Sequence, residues 1–293
     1  MSSRFKRTAY RAWHRAVFRL QTACGMLDVK RQPAQTIFLH IPKTAGSSVN
    51  EYFASFTGSR GSDRFLPIDM YKGDDYYSEV SEEGLEKAHA AMYVTGHFDW
   101  HTLEAIRRPD AFVFTFLRDP AERLLSFYHY IHHIDERKQT NSSQKAWFSG
   151  LKSLTLEEFC AGDDPDGLYA TNNLMVRQMA GRQIGTAATD APFEEMLAQA
   201  LKNLQTLNYV GFQNSFDNDF QALVKKTGFP PLRLPKENIT KKLAVYPGPA
   251  YVAKAGKQDI LKLAAPRLAW DIKFYQQAQS LVPEINKRPF IKA

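Results

Sequence analysis

Three short stretches of this 293-residue chain hold residue types that can manage an anion and a proton. The first is Phe38-Leu-His-Ile-Pro-Lys-Thr-Ala-Gly-Ser-Ser48. An apolar run, Ile37 to Ile41, leads into Pro42 and a turn of small residues, and Val49, Tyr52, Phe53 and Phe56 then recur at helical spacing. The pattern predicts a buried strand, a tight loop and a helix N-terminus, with Ser47 or Ser48 as the cap and Gly46 letting the backbone close on a ligand. First-turn N–H groups and the helix dipole favour an anion at such a place, and Lys43 adds a mobile full charge. The expectation is a phosphate- or sulfate-binding loop. It is not a Walker A loop, in which Gly-Lys-Ser/Thr closes the motif, because Lys43 precedes the glycine.

Alone, this stretch reads as an ordinary strand-to-helix turn with a surface lysine. The second stretch changes the balance: Phe116-Leu-Arg-Asp-Pro-Ala-Glu-Arg-Leu-Leu-Ser-Phe-Tyr128. Ala111 to Leu117 is a continuous apolar run, as in a central parallel strand. Asp119 suits an N-cap, Pro120 the first helical position and Glu122 a capping-box partner, so Arg118 stands where strand passes into helix. The third stretch, Ala91 to His97, predicts a strand ending in a glycine turn with His97 just beyond it. Histidine suits removal of a hydroxyl proton near neutral pH, and His101 is the reserve base. His40 reads as a buried structural residue, and His129, His132 and His133 as a solvated helix end rather than a metal pair. Arg123 and Glu122 read as exposed or as paired with each other's neighbours.

The first two stretches together resemble the 5′-phosphosulfate loop and the 3′-phosphate-binding segment of sulfotransferases. Pro-Lys-Thr-Ala-Gly-Ser-Ser, with Arg-Asp-Pro and a serine eight residues after the arginine, is most similar to carbohydrate sulfotransferases of the heparan/uronosyl 2-O type and their bacterial relatives. Weaker echoes are Asn172 to Gly181, Val210-Gly211 before Phe216-Asp217, and Asp271 before Tyr275. The resemblance implies 3′-phosphoadenosine 5′-phosphosulfate (PAPS) as donor, a carbohydrate hydroxyl as acceptor, and no metal. It implies that Lys43, Thr44, Ala45, Gly46, Ser47 and Ser48 hold the 5′ side of the donor. Arg118 and Ser126 would then hold its 3′-phosphate, and Lys241 and Lys242 would close over the nucleotide. His97 would be the base and Lys43 the group that meets charge on the bridging oxygen. Thr95 replaces a histidine that often stands two residues before the base, and Gln213 replaces a frequent glutamate. One rival is a P-loop nucleotide kinase or NTPase, against which the missing Gly-Lys-Ser/Thr and Walker B aspartate speak. The other is a catalytically idle glycan- or membrane-binding relative, against which Lys43, His97, Arg118 and Ser126 together speak.

The elements that must position these residues alternate as strand and helix, which predicts an α/β fold: a P-loop-like parallel sheet flanked by helices over residues 36–293. Helices are expected over Leu156 to Phe159, Ala170 to Met179, Phe193 to Leu204, residues 216–226 and about Ala265 to Leu281, and a strand at Tyr209 to Phe212. Thr57 to Gly84 reads as a long surface excursion, and Asp135 to Gly150 as a polar loop. Cys24 and Cys160 stand far apart, with no disulfide framework or zinc spacing, which points to a reducing compartment.

The net charge of +7 lies wholly in residues 1–31, where eight Lys/Arg face one acid, Asp28. Residues 1–35 read as a basic amphipathic extension, with Phe5, Trp13, Val17, Phe18 and Leu20 among arginines. Such a segment suits peripheral contact with an anionic membrane from the cytoplasmic side, or packing on the body. No nucleic-acid motif accompanies the charge.

Overall fold

Parallel strands covered on both faces need apolar side chains in both directions, and four runs here supply them. The computed structural model describes residues 12–17, 19–21, 23–24, 32–57, 65–68, 82–133, 142–161, 171–181, 192–231 and 255–290. The strands are β1 (Thr36–Leu39), β2 (Phe65–Ile68), β3 (Tyr93–Gly96), β4 (Phe112–Leu117) and β5 (Tyr209–Phe212). They form one parallel sheet in the order β2-β3-β1-β4-β5, with β1 at its centre. Side chains alternate across it by chemistry. Phe38, Tyr93, Phe112, Phe114, Phe116 and Tyr209 point to one face, and Ile37, Leu39, Val94, Val113 and Val210 to the other.

The aromatic face packs on α1 (Gly46–Thr57) and α9 (Phe216–Thr227), where Phe53 stacks on Tyr93 and Tyr52 meets Phe220 edge-on. The aliphatic face is covered by α3 (Trp100–Ile106), α7 (Leu174–Ala180), α8 (Phe193–Leu204) and the C-terminal α10 (Lys257–Lys287). α4 (Pro120–His133), α5 (Ser142–Ser153) and α6 (Leu156–Ala161) gather round the first half of α10 in a second cluster. α2 (Glu82–Ala90) precedes β3.

Several expectations are corrected. The excursion from Thr57 to Gly84 contains β2, an edge strand, and the first residues of α2. The polar stretch from Asp135 to Gly150 enters α5, whose Trp147, Phe148 and Leu151 are buried. The last helix begins at Lys257 rather than near Ala265 and runs through Pro266. A proline inside a helix breaks the backbone ladder, and just beyond it Asn173 joins the helix. Its Oδ1 accepts from the amides of Trp270 and Asp271 at 2.9 and 3.1 Å, and its own amide donates to Arg267 O.

Arg123 is not exposed but fully buried, and so are Arg177 and Asp271. Buried charges survive when opposite charges and hydrogen bonds compensate them. Asp271 accepts from the first-turn amides of α7, Val176 N at 2.9 Å and Met175 N at 3.2 Å, with Arg123 and Arg177 both within electrostatic reach. Burial pushes the Asp271 carboxyl up, against these partners. Replacing Asp271 by Ala should cost about 3–5 kcal/mol, because two buried guanidinium groups lose their counter-charge. Urea unfolding measures it; a loss under about 1 kcal/mol would show that the cluster is compensated some other way.

Candidate functional site

The C-terminal ends of β1, β3 and β4 meet at one edge of the sheet, and the loop after β1 curls over them. Lys43 and Ala45 have φ of 72° and 75°, left-handed values that cost a non-glycine residue about 1–2 kcal/mol each. Thr44, between them, is buried and donates its hydroxyl to Ile41 O at 2.7 Å, closing the loop. Strain of this kind collects at functional sites. α1 begins at Gly46, so Ser47 and Ser48 stand inside its first turn rather than at the cap. Ser47 is exposed and Ser48 buried. Ser48 N and Val49 N both donate back to Ala45 O, at 3.1 and 3.4 Å, which ties the start of the helix to the loop.

Gly46 also leaves room for a neighbouring side chain. A Cβ built on it would lie 1.8 Å from His40 Nε2, so the glycine makes room for an imidazole. The His40 ring also stacks on Phe38 at 4.9 Å and lies 4.2 Å from the His97 ring, centre to centre. His40 is therefore a half-buried hub at the loop, not a fully enclosed core residue.

His97 is half-buried, and its Nδ1 lies 2.8 Å from His40 O. A carbonyl only accepts, so Nδ1 carries the proton and Nε2 holds the lone pair of the neutral ring. Gln178 of α7 donates to the same carbonyl at 3.2 Å and to Phe98 O at 2.8 Å, fixing the turn on which His97 sits. His101 lies in the first turn of α3 with its side chain exposed. Thr95 is buried and donates to Asn50 Oδ1 of α1, on the other side of the sheet edge.

Lys43 reaches α4 instead of solvent. Its Nζ stands 3.9 Å from the centre of the Tyr130 ring, and its carbonyl accepts from Arg118 Nη1 at 3.2 Å. Burial, and then the Arg118 charge, lower the Lys43 pKa to about 7. The electron-rich ring face favours the charged form and opposes this, but desolvation is the larger effect. Burial also lowers the Arg118 pKa, against the nearby carboxylates of Glu122 and Asp119. Arg118 Nε is buried without a hydrogen bond, and Glu122 Oε2 stands 3.9 Å from it. Glu122 is shared with Lys257 at 3.7 Å, while Lys257 bonds Asp119 at 2.8 Å. Asp119 caps α4 as predicted, accepting from Glu122 N at 3.0 Å.

Glu122, Ser126 and Tyr130 recur every fourth residue on α4 and so share one stripe. Glu122 approaches Arg118 and Tyr130 meets Lys43, which places half-buried Ser126 between them on the face toward the loop. The structure thus brings together Lys43, Thr44, Ala45, Gly46, Ser47, Ser48, His97, Arg118 and Ser126. Lys241 and Lys242 lie outside the described residues. Tyr130 and Gln178 were missed. A usable signal for Gln178 was its place, with Arg177, inside the apolar run Leu174 to Ala180.

Among the described residues no cluster of His, Cys, Asp and Glu can hold a metal ion. His132 is buried with its ring edge-on to Tyr128 at 4.6 Å, and burial lowers its pKa to about 4, so the expected solvated helix end is wrong for this histidine. His133 Nδ1 turns back to His129 O. What the site offers is a pair of poorly hydrated cations, a strained loop at a helix start and an imidazole: the means to bind an anion and take up a proton.

The sequence matches the Sulfotransferase family over residues 28–246, most of the chain and all of the cluster just described. No curated protein matches it.

The lowered Lys43 pKa has a measurable consequence. The unfolded chain keeps this proton up to about 10.5 and the folded chain releases it near 7, so the unfolded state binds more protons between those values and stability rises with pH there. At and below pH 7 the folded state bears the whole cost of the buried cation. Lys43→Met should therefore melt higher than the parent below pH 7, with the gap narrowing toward pH 10. An equal or lower melting temperature in acid would show that the Tyr130 ring holds the charge at no cost.

Proposed function

Because the chain belongs to the sulfotransferase family, we propose that it moves a sulfuryl group from PAPS to a carbohydrate hydroxyl. The observation that carries the reading is the hinge between loop and base. His40 lies against Gly46 of the loop and holds His97 by its carbonyl, so anion site and proton acceptor are one unit.

PAPS supplies a sulfuryl group already activated on a phosphate, so the protein needs to position and to stabilise charge. The start of α1 from Gly46 to Ser48, with Thr44 and Ala45, receives the 5′ side. Arg118 and Ser126 receive the 3′-phosphate, which would satisfy the unbonded Arg118 Nε. His97 Nε2 takes the acceptor proton as the hydroxyl oxygen bonds to sulfur. The bond from sulfur to the phosphate oxygen breaks in the same in-line displacement, and Lys43 meets the charge on that departing oxygen. The products are a sulfate ester and adenosine 3′,5′-bisphosphate. Lys241 and Lys242 belong to this reading as a lid over the nucleotide. The carbohydrate acceptor rests on the likeness to 2-O-type enzymes.

Adenosine 3′,5′-bisphosphate should bind, and Arg118→Ala should weaken it by about 2–3 kcal/mol, the scale of a charge-assisted contact. Calorimetry showing equal affinity for AMP, which lacks the 3′-phosphate, would refute the donor assignment. Lys43→Ala and His97→Ala should keep nucleotide affinity within a few-fold but lower turnover by about 10²–10⁴. Full activity in His97→Ala would move the base to His101 or an acid.

A further inference from the structure

Large apolar side chains scattered singly over a surface are ordinary, but two on one face of one helix are not. Among the described residues the exposed large hydrophobics are Trp13 and Leu20, 59 % and 64 % exposed. Both belong to the N-terminal segment, helical at 12–17, 19–21 and 23. At about 100° per residue, Trp13 and Leu20 fall within about 20° of each other around the axis, with Cys24 beside them and Ala16, Ala23 and Ala12 filling one flank. All six are exposed. Beyond that flank stand the exposed Arg19 and Arg15.

The rest of the circumference faces the body. His14, about 100° round from Trp13, is 1 % exposed and stacks over Phe56 of α1. Burial lowers its pKa to about 4, so it docks as a neutral ring at physiological pH. Val17 and Gln21 lie on the same side and are half-buried. The helix is held by one face and offers the other: an apolar strip of alanines, tryptophan and leucine with arginines along its edge.

We propose that this outward face is an interfacial helix that seats the enzyme on an anionic lipid bilayer. Trp13 and Leu20 enter the boundary between headgroups and acyl chains, and Arg15 and Arg19 pair with lipid phosphates. Charge complementarity selects this occupant over a second copy of the chain. The whole net charge of +7 is carried by residues 1–31, which two copies would bring together against mutual repulsion. No helix among the described residues is long and apolar enough to cross a membrane, so the contact is with one surface. Phe56 is ten residues along α1 from Gly46, about 15 Å at helical rise, which leaves the anion loop at the far end from the lipid.

The test uses the full chain and sedimentation with vesicles. It should bind phosphatidylcholine vesicles containing about one-third phosphatidylglycerol, not pure phosphatidylcholine, and release as salt rises. The double variant Trp13→Ser, Leu20→Ser should lower partitioning at least about tenfold with an unchanged melting temperature, since both side chains are exposed. Arg15→Gln with Arg19→Gln should also weaken binding, and decides the matter if the first variant proves unstable. Binding to neutral vesicles as strong as to anionic ones, undiminished binding by both variants, or no vesicle binding would each overturn the proposal. A dimer that the Trp13 and Leu20 variant dissolves, without lipid binding, would assign the face to a second copy.

Discussion

Everything at the carboxyl edge of the sheet depends on the space left by the missing side chain of Gly46. The His40 ring occupies the volume a Cβ would need, and from there it touches both Phe38 of the core and His97. Its carbonyl accepts from His97 and from Gln178. One residue therefore links the loop to His97 and, through its carbonyl, selects the tautomer of that ring. A larger residue at position 46 would push the His40 ring out of its contacts with Phe38 and His97. The glycine is thus a packing requirement.

The second constraint is electrostatic. Lys43 and Arg118 sit close together in surroundings that take water from both, and each pKa falls mainly because of burial. Two cations held so are unfavourable alone and favourable around an anion, which is the condition of a preorganised site. Part of the cost is moderated locally. Glu122 faces Arg118 but is shared with Lys257, and Tyr130 presents its ring face to Lys43. Neither contact neutralises its cation outright, so positive potential remains beside the loop. Backbone strain at Lys43 and Ala45 adds to the burden, and the strongly packed strands beneath carry it.

The interior strands were legible because a parallel sheet covered on both faces demands continuous apolar runs, and Ile37 to Ile41 and Ala111 to Leu117 are such runs. The edge strand Phe65–Ile68 was not, since it is short, contains Pro67 and stands in a polar segment. α5 escaped notice because Trp147, Phe148 and Leu151 are its main apolar contribution, and their partners on α4 and α6 come from elsewhere in the chain. Arg123 was misplaced by the rule that arginines stay in water, which fails where Asp271, far along the sequence, supplies the counter-charge. Of the site, Lys43, Arg118 and His97 could be read because local motifs hold them. Tyr130 and Gln178 could not, because their roles exist only once α4 and α7 are docked.

That docking reaches beyond the part of the chain that matches the family. The match ends at residue 246, yet α10 begins at Lys257 and helps set the position of His97. Asp271 accepts from two first-turn amides of α7, an arrangement the helix dipole also favours, and Asn173 ties the start of that helix to α10 beyond Pro266. Less than one turn further, Gln178 holds His40 O and Phe98 O, the two carbonyls that bracket His97. The echoes at Asn172 to Gly181 and at Asp271 are thus explained by position. They mark a chain of hydrogen bonds from the C-terminal helix to the imidazole, none of whose members needs to touch the reacting atoms.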